Sequence, residues 1–434
     1  MSTFLRKING AGRGLMAAIL MLATGCGGDD APAPDGSATI RYARWGTPQE
    51  IDAERALLKQ FEEAHPGVRV IVEFSSWSEY WTKLQAQFAA GTAPDVFLFS
   101  GTHVQDYRQR GQIENLAARA ASDPTLKMEE FYPAPVEIFT DADGLWAMPR
   151  DCNAIGIFYN KTLFDKLGVE YPKPDWTWDD FLAKAKALTR DEDGDGRMES
   201  YGYLAAFESM EVHWISWVWQ AGGNVLNEAR TKCVLDSPEA IEGLEFLAGL
   251  VLKEKVSPNA SQASTFGSNM FLTGRLAMSS EGSWMIKGFS AADHFQWDVA
   301  PLPKGEQSVG VVNGLGNAIY SGSKQKDAAW ELVKFLGSRP YQESLARSGT
   351  SIPALRSVAE SPIYLDGKPE GKRHFLSQIE SGRVPDYTAG STQWEAAIRG
   401  KLELVWMGRM DVATAAREAT AAVDAILAKG SANP

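Results

Sequence analysis

Along residues 39–99 the spacing of apolar positions switches back and forth between the period of a strand and that of a helix. In "TIRYARWG", Ile40 and Tyr42 share one face of a strand. "QEIDAERALLKQFEEA" places Ile51, Leu57, Leu58, Phe61 and Ala64 on one helical face, and Pro66-Gly67 ends it. "VRVIVEF" alternates Val68, Val70, Val72 and Phe74 as a strand does, and "SEYWTKLQAQFAAG" returns to helical spacing with Tyr80, Trp81, Leu84 and Phe88 inward. "DVFLF" is a continuous apolar run, the mark of a parallel strand buried on both faces. Strand, helix, strand, helix, strand predicts an α/β fold with a mostly parallel sheet. A second α/β set begins at "NAIGIFYNK". Helices are expected near 160–167, 178–189, 237–253 and 326–337, a strand at "WDVAPLP", and a helix-rich C-terminal part ending in "DVATAAREATAAVDAILAK".

The N-terminus stands outside this pattern. "MSTFLRKINGAGR" carries Arg6, Lys7 and Arg13 and no acid, and "GLMAAILMLA" is too short for the roughly 20 apolar residues of a spanning helix. Residues 1–25 therefore read as a signal peptide. Cys26 follows small residues, as in the lipobox of bacterial lipoproteins, although Ala23 stands where leucine is usual and Leu22 lies one place further back. Cys26 is the expected lipidation site, the alternative being ordinary cleavage nearby with an unmodified thiol. Residues 26–37 are Gly-, Pro- and Asp-rich and read as a flexible tether. No other stretch is apolar enough to span a bilayer, so a soluble body held at a membrane surface is expected.

The formal charge of −12 becomes more negative once that basic leader is removed. This suits solubility and argues against nucleic acid or anionic lipid as the partner. Cys152 and Cys233 are the other cysteines. A body this large does not need disulfide staples, and free thiols are expected.

The chain has no G-x-S-x-G, no H-E-x-x-H and no P-loop, and "GLGNAI" lacks the last glycine of a dinucleotide fingerprint. The five histidines show no metal-ligand spacing, and no spacing among the many acids singles out a glycosidase pair. What the chain does hold is 14 tryptophans. Most belong in cores, but Trp45, Trp77 and Trp284 sit in Gly/Ser contexts at expected strand ends, where ligands of α/β sheets bind. An indole face suits the C–H face of a sugar ring, with core packing the alternative at each position. Trp178 in "DWTWDD" reads instead as a structural helix-entry residue. "DEDGDGRMES" places Asp191, Asp193 and Asp195 at positions 1, 3 and 5 of a calcium loop, with Gly196 at the turn, the Arg197 carbonyl at 7 and Glu199 at 9. Position 12 is Gly202, which excludes a full EF-hand, and leaves a structural Ca2+ or a solvated Asp/Gly turn. No catalytic cofactor is expected.

In order, "FEEAHPGVRVIVEF", "AAGTAPDVFLF", "GLWAMPRDCNAIGIFYNKTLFDKLGV", "DWTWDDFLAKAKALT", "WQAGGNVLN", "FLTGRLAMSSEGSW" and "VAPLPKG" resemble the family 1 extracellular solute-binding proteins. These are the receptors of carbohydrate ABC importers, including the maltose-binding type. The resemblance runs from about residue 38 to the C-terminus. It implies a two-lobe, class II-like periplasmic-binding-protein fold, each lobe a mostly parallel sheet flanked by helices, closing over the ligand at a hinge. The N-lobe would comprise 38–150 plus 302–338 and the C-lobe 151–301 plus 339–434, with crossings near 149–153, 297–303 and 338–343. It also implies a cleft lined by Trp45, Gly46 and Thr47, by Phe99, Ser100 and Gly101, and by Arg150, Asp151 and Asn153. Glu211, His213 and Trp214, then Glu281 and Trp284, then Asn313, Gly314 and Trp394 would complete it. Trp284 is the foremost candidate for stacking on sugar. Arg150 and Asp151 would pair with each other or mark an acidic or amino sugar. Some receptors of this family carry a calcium loop like that at Asp191–Glu199.

The expected protein is a lipid-anchored, extracytoplasmic, monomeric receptor, in the periplasm or on the outer cell surface. It would capture a mono- or oligosaccharide and deliver it to the permease subunits of an ABC importer without doing chemistry. The alternatives are a receptor for a polyol phosphate or polyamine, and a secreted glycan-degrading enzyme.

Overall fold

Thr47 and Glu50 open the first helix with a capping box and Pro48 fills its first turn, so the chain leaves strand β1 (Ala38–Trp45) straight into α1 (Pro48–Ala64). This computed structural model describes residues 37–195, 198–266 and 270–431; the leader, Cys26 and the tether up to residue 36, and Gly196 and Arg197, lie outside them. After α1 come β2 (Val68–Ser75), α2 (Trp77–Ala89), β3 (Val96–Ser100) and α3 (Gly101–Gln109), as the alternation predicts. The chain then runs through β4 (Met148–Pro149) into β5 (Asp151–Asn160), α4 (Lys161–Leu167), α5 (Trp178–Leu188) and β6 (Tyr201–Tyr203). Helices α6 (Ile215–Gln220) and α7 (Pro238–Leu252) lead to β7 (Leu276–Gly282), β8 (Trp297–Ala300), β9 (Val312–Asn313) and β10 (Leu315–Ile319). The last elements used below are α8 (Lys326–Gly337), α9 (Arg339–Ser348), β11 (Ile352–Pro353), α10 (Ser391–Trp406) and α11 (Val412–Ser431).

Two sheets carry the two lobes. The first has strand order β2-β1-β3-β10-β4, parallel across β2-β1-β3 and antiparallel where β10 joins β3 and β4. Ile40, Tyr42 and Phe97 pack there against Leu58 and Phe61 of α1 and Leu332 and Leu336 of α8. The second has order β8-β5-β7-β6, with β9 and β11 also bonded to β5. Only β6-β7 is parallel in it, so this sheet is mainly antiparallel rather than mostly parallel. The reason is that burial on both faces, which every residue of β5 shows, reports coverage by other layers and not strand direction. Its core joins Ile155, Ile157, Phe181, Trp217 and Leu244 to Ile398 and Leu402 of α10.

The chain crosses first between β4 and β5, where expected. It returns at Gly314, between β9 on the second sheet and β10 on the first, and not at 297–303. Residues 302–313 stay with the second lobe, held by the Lys304 amide on the Trp176 carbonyl and the Gln307 amide on the Gln220 carbonyl. The third passage also comes later than 338–343. Tyr341 of α9 still bonds Glu54 of α1, and Ala354 and Leu355 still pair with Tyr132 and Phe131, before Gly371 rejoins Asp298 beside β8. Cys152 and Cys233 are buried free thiols. Among the described residues no helix is long and apolar enough to cross a membrane.

Candidate functional site

A cavity of about 570 Å³ lies between the ends of the two sheets, beside all the crossing segments. On the first-lobe wall, Trp45 ends β1 and Trp77 opens α2. Their rings meet edge-on at 4.7 Å, and Trp77 remains 52% exposed. On the opposite wall Trp284 follows β7, its indole laid over Gly282. A Cβ at 282 would stand 2.2 Å from that ring, so the glycine makes the indole's position possible.

A chain of buried charge supports the first-lobe wall. Arg44, which ends the inward-facing row Ile40–Tyr42–Arg44 of β1, pairs with Glu54 of α1. Glu54 accepts the Tyr341 hydroxyl at 2.5 Å, and that hydroxyl accepts Arg150 Nε at 3.2 Å. Arg150 Nη1 reaches Asp151 at 2.7 Å. Asp151 also accepts the Asn153 side chain and the Leu315 amide, both at 2.9 Å, and a hydrogen bond from Ser351. One carboxylate thus ties three segments at the hinge. Burial pushes the Asp151 carboxyl up, against the opposing pull of Arg150 and of the Leu315 amide.

The second-lobe wall is built on hydrogen bonds from uncharged donors. Glu211 accepts the Tyr387 hydroxyl at 2.7 Å and the Asn313 amide at 2.5 Å, and burial raises its carboxyl against both donors. Asn153 is fixed by Ser283 at 2.8 Å. Lys287 is the exposed cation of the lining.

Of the expected cleft residues, Trp45, Trp77, Ser100, Arg150, Asn153, Glu211, Trp284, Asn313 and Gly314 line this cavity. The others lie elsewhere, each for a visible reason. Thr47 caps α1, its amide bonded to Glu50 at 2.8 Å, and Gly46 precedes that cap. Phe99 is in the first core and Trp394, 1% exposed, in the second, where Trp394 bonds Thr388 at 2.9 Å. Asp151 stands behind Arg150. His213 accepts the Ser209 amide, and burial lowers it to about 4, leaving a neutral ring. Glu281 accepts the Ser279 hydroxyl at 3.0 Å, and burial raises it to about 7. Trp214 is buried in the second core, and Gly101 starts α3 under the Tyr387 ring. Trp178 stacks on Phe246 and bonds Gln220, a packing role as expected.

Pattern reading missed Arg44, Tyr341 and Tyr387. The strand parity that put Ile40 and Tyr42 inside also puts Arg44 inside, so that signal was present. Two further linings were readable as helix faces: Glu50, Ala53, Glu54 and Leu57 on α1, and Tyr341, Ser344, Leu345 and Ser348 on α9, each spaced i, i+3, i+4, i+7. No local signal brings Tyr387 to Glu211.

Away from the cavity, Asp191, Asp193, Asp195 and Glu199 bring their carboxylate oxygens within 4.8 Å of one another. The turn is held by the Gly194 amide on Asp191 at 2.7 Å and the Asp195 amide on Asp193 at 3.1 Å.

Known proteins of this architecture are numerous. An ABC substrate-binding protein from Listeria monocytogenes, solved in complex with cycloalternan, superposes with a TM-score of 0.82 at 25% identity, covering 91% of this chain and 99% of that one. The maltotriose-binding protein of Pyrococcus abyssi is 25% identical over 325 residues, 73% of this chain and 66% of the relative. A Streptomyces antibioticus protein described as an uncharacterized lipoprotein is 27% identical over 354 residues, 74% of this chain and 70% of its own. The profile of the family described as bacterial extracellular solute-binding protein matches residues 47–343, so this two-lobed chain belongs to the bacterial extracellular solute-binding proteins.

Proposed function

We propose that this protein is the lipid-anchored receptor of an ABC importer and that its inter-lobe cavity takes a mono- or oligosaccharide. The observation that carries the reading is the pair of indole walls, Trp45 and Trp77 facing from one lobe and Trp284 from the other, with amides and hydroxyls between them. Flat aromatic faces on both sides suit pyranose rings, and contacts from both lobes favour the closed state. The neighbours solved or named with cycloalternan and maltotriose agree with this class.

Charge bookkeeping separates it from the alternatives. The lining carries three cations, Arg44, Arg150 and Lys287, against three carboxylates, Glu50, Glu54 and Glu211, so it has no excess for a phosphate or a polyamine to neutralise. The carboxylates are also committed, Glu54 to Arg44, Glu50 to the α1 cap and Glu211 to Tyr387 and Asn313. That supports capture over hydrolysis.

Acylation at Cys26 is part of the proposal, supported by the leader pattern and by the relative called a lipoprotein. So is a Ca2+ at Asp191, Asp193, Asp195 and Glu199, supported by oxygens already gathered at the spacing of a hard-cation site.

The test uses the full chain carrying Cys26→Ser, which blocks acylation. Tryptophan fluorescence and thermal melting are followed against glucose, maltose, maltotriose, glycerol phosphate and spermidine, with calcium and with chelator. A sugar should give a saturable shift and a higher Tm, about 2.7 kcal/mol of added stability at a hundredfold excess over Kd. Trp284→Ala should lose the response, and chelator should lower the Tm. A response to glycerol phosphate or spermidine alone overturns the sugar reading.

A further inference from the structure

The two ends of the cavity differ in chemistry. At the tryptophan end, indoles alternate with Ser100, Asn153, Ser209 and Asn313, the mixture a sugar requires. The other end runs between α1 and α9 and has no indole; Ala53, Leu57 and Leu345 face it beside Glu50, Glu54, Tyr341, Ser344 and Ser348. Most of its polar groups are already engaged within the protein, Glu50 in the α1 cap and Glu54 with Arg44. The Tyr341 hydroxyl donates to Glu54 at 2.5 Å. Ser348 donates to the Leu345 carbonyl at 2.7 Å and shares a hydrogen bond with Thr350 at 2.7 Å. A sugar ring placed there would shed the water on its hydroxyls and find few partners, a net cost. An apolar group would gain from burial alone. Ala53 and Ser344 are small and keep the gap between the helices open.

We infer that the ligand is a glycoside with an apolar aglycone, its sugar held between the tryptophans and its alkyl or aryl group between α1 and α9. This rests on the sugar reading above and adds the part of the ligand that reading leaves unspecified. Leu57 and Leu345 form the floor on which the aglycone lies, and the length of the gap sets how much of it is recognised.

The test is a titration of the full chain, Cys26→Ser, with methyl, butyl and hexyl glycosides of glucose and of maltose, below the concentrations at which they self-associate. Affinity should rise roughly fourfold per methylene until the gap is filled. In Ala53→Phe, and separately in Ser344→Phe, the ratio of hexyl to methyl affinity should fall towards one, because the ring occupies the gap. A flat or falling series in the parent chain overturns the inference while leaving sugar binding intact. So does a gain from maltose to maltotriose with no gain from alkyl length, which assigns the gap to another sugar ring. A slope that survives both variants places the chain elsewhere and overturns it too. Failure of every glycoside, methyl included, removes the sugar reading and this inference with it.

Discussion

The two walls of the cavity are held in place by different physics. The first-lobe wall rests on a buried chain of charge from Arg44 through Glu54, Tyr341 and Arg150 to Asp151, which continues into the hinge. The second-lobe wall rests on hydrogen bonds from uncharged donors and on carboxyls that burial has pushed upward, Glu211 at the surface of the cavity and Glu281 on β7. The first is fixed by partners and is costly to break; the second is set by desolvation and responds to pH. A receptor built this way has both walls joined to the pivot, the first through ion pairs and the second through the side chains of Asn153 and Asn313.

Breaking the charge chain should give the largest effect. Asp151→Ala leaves Arg150 buried, at 4% exposure, without its carboxylate, and should cost about 3–5 kcal/mol in urea unfolding. A loss below 1 kcal/mol would mean that water or Tyr341 replaces the ion pair, and the contrast between the walls would fail.

The next effect sharpens the second wall. Glu281 rises from 4.5 to about 7 on burial, so the native protein holds that proton more tightly than the unfolded chain does. Its contribution to stability is complete below about pH 4.5 and is lost as the pH climbs through about 7. Glu281→Gln removes that loss. Its stability relative to the parent should therefore grow between pH 4.5 and 7 by about 3 kcal/mol, then level off. Denaturation curves of the two proteins that stay parallel across pH would refute the assignment.

The smallest effect concerns a contact joining the lobes directly. Asp106 of α3 accepts the Gly390 amide at 2.7 Å, at the start of α10, whose own N-cap offers no side-chain acceptor. Asp106→Ala should cost about 1 kcal/mol and speed amide exchange at Gly390. Unchanged exchange there would show that the contact does not protect the helix end.

Much of the frame was legible in the sequence because local chemistry decides it. Pro66-Gly67 stops α1, and the apolar spacing of 326–337 gives α8 to the residue. Strand direction and the return crossing were not legible. The chain changes sheets at Gly314, where a Cβ would sit 2.6 Å from the Asp151 carbonyl oxygen. That close approach depends on a segment over a hundred residues away, which no local pattern encodes. The same holds at the site. Trp45, Trp77 and Trp284 stand out by their glycine and serine neighbours, whereas Tyr341 and Tyr387 reach it only through the packing of α9 and of the segment before α10.

The place of β10 in the first sheet has a consequence in time. It is inserted between β3 and β4, and Tyr42 bonds Asn317 across 275 positions of sequence. No nascent chain can close this sheet until Ile319 has been made. At about 5–20 residues per second, the 219 positions from Ser100 to Ile319 take roughly 10–40 s to synthesise. During that interval β3 has an open edge and the lobe is unfinished. For a family that works outside the cytoplasm, the strand order acts as a clock on the first lobe, whose sheet sets only when its last partner strand arrives.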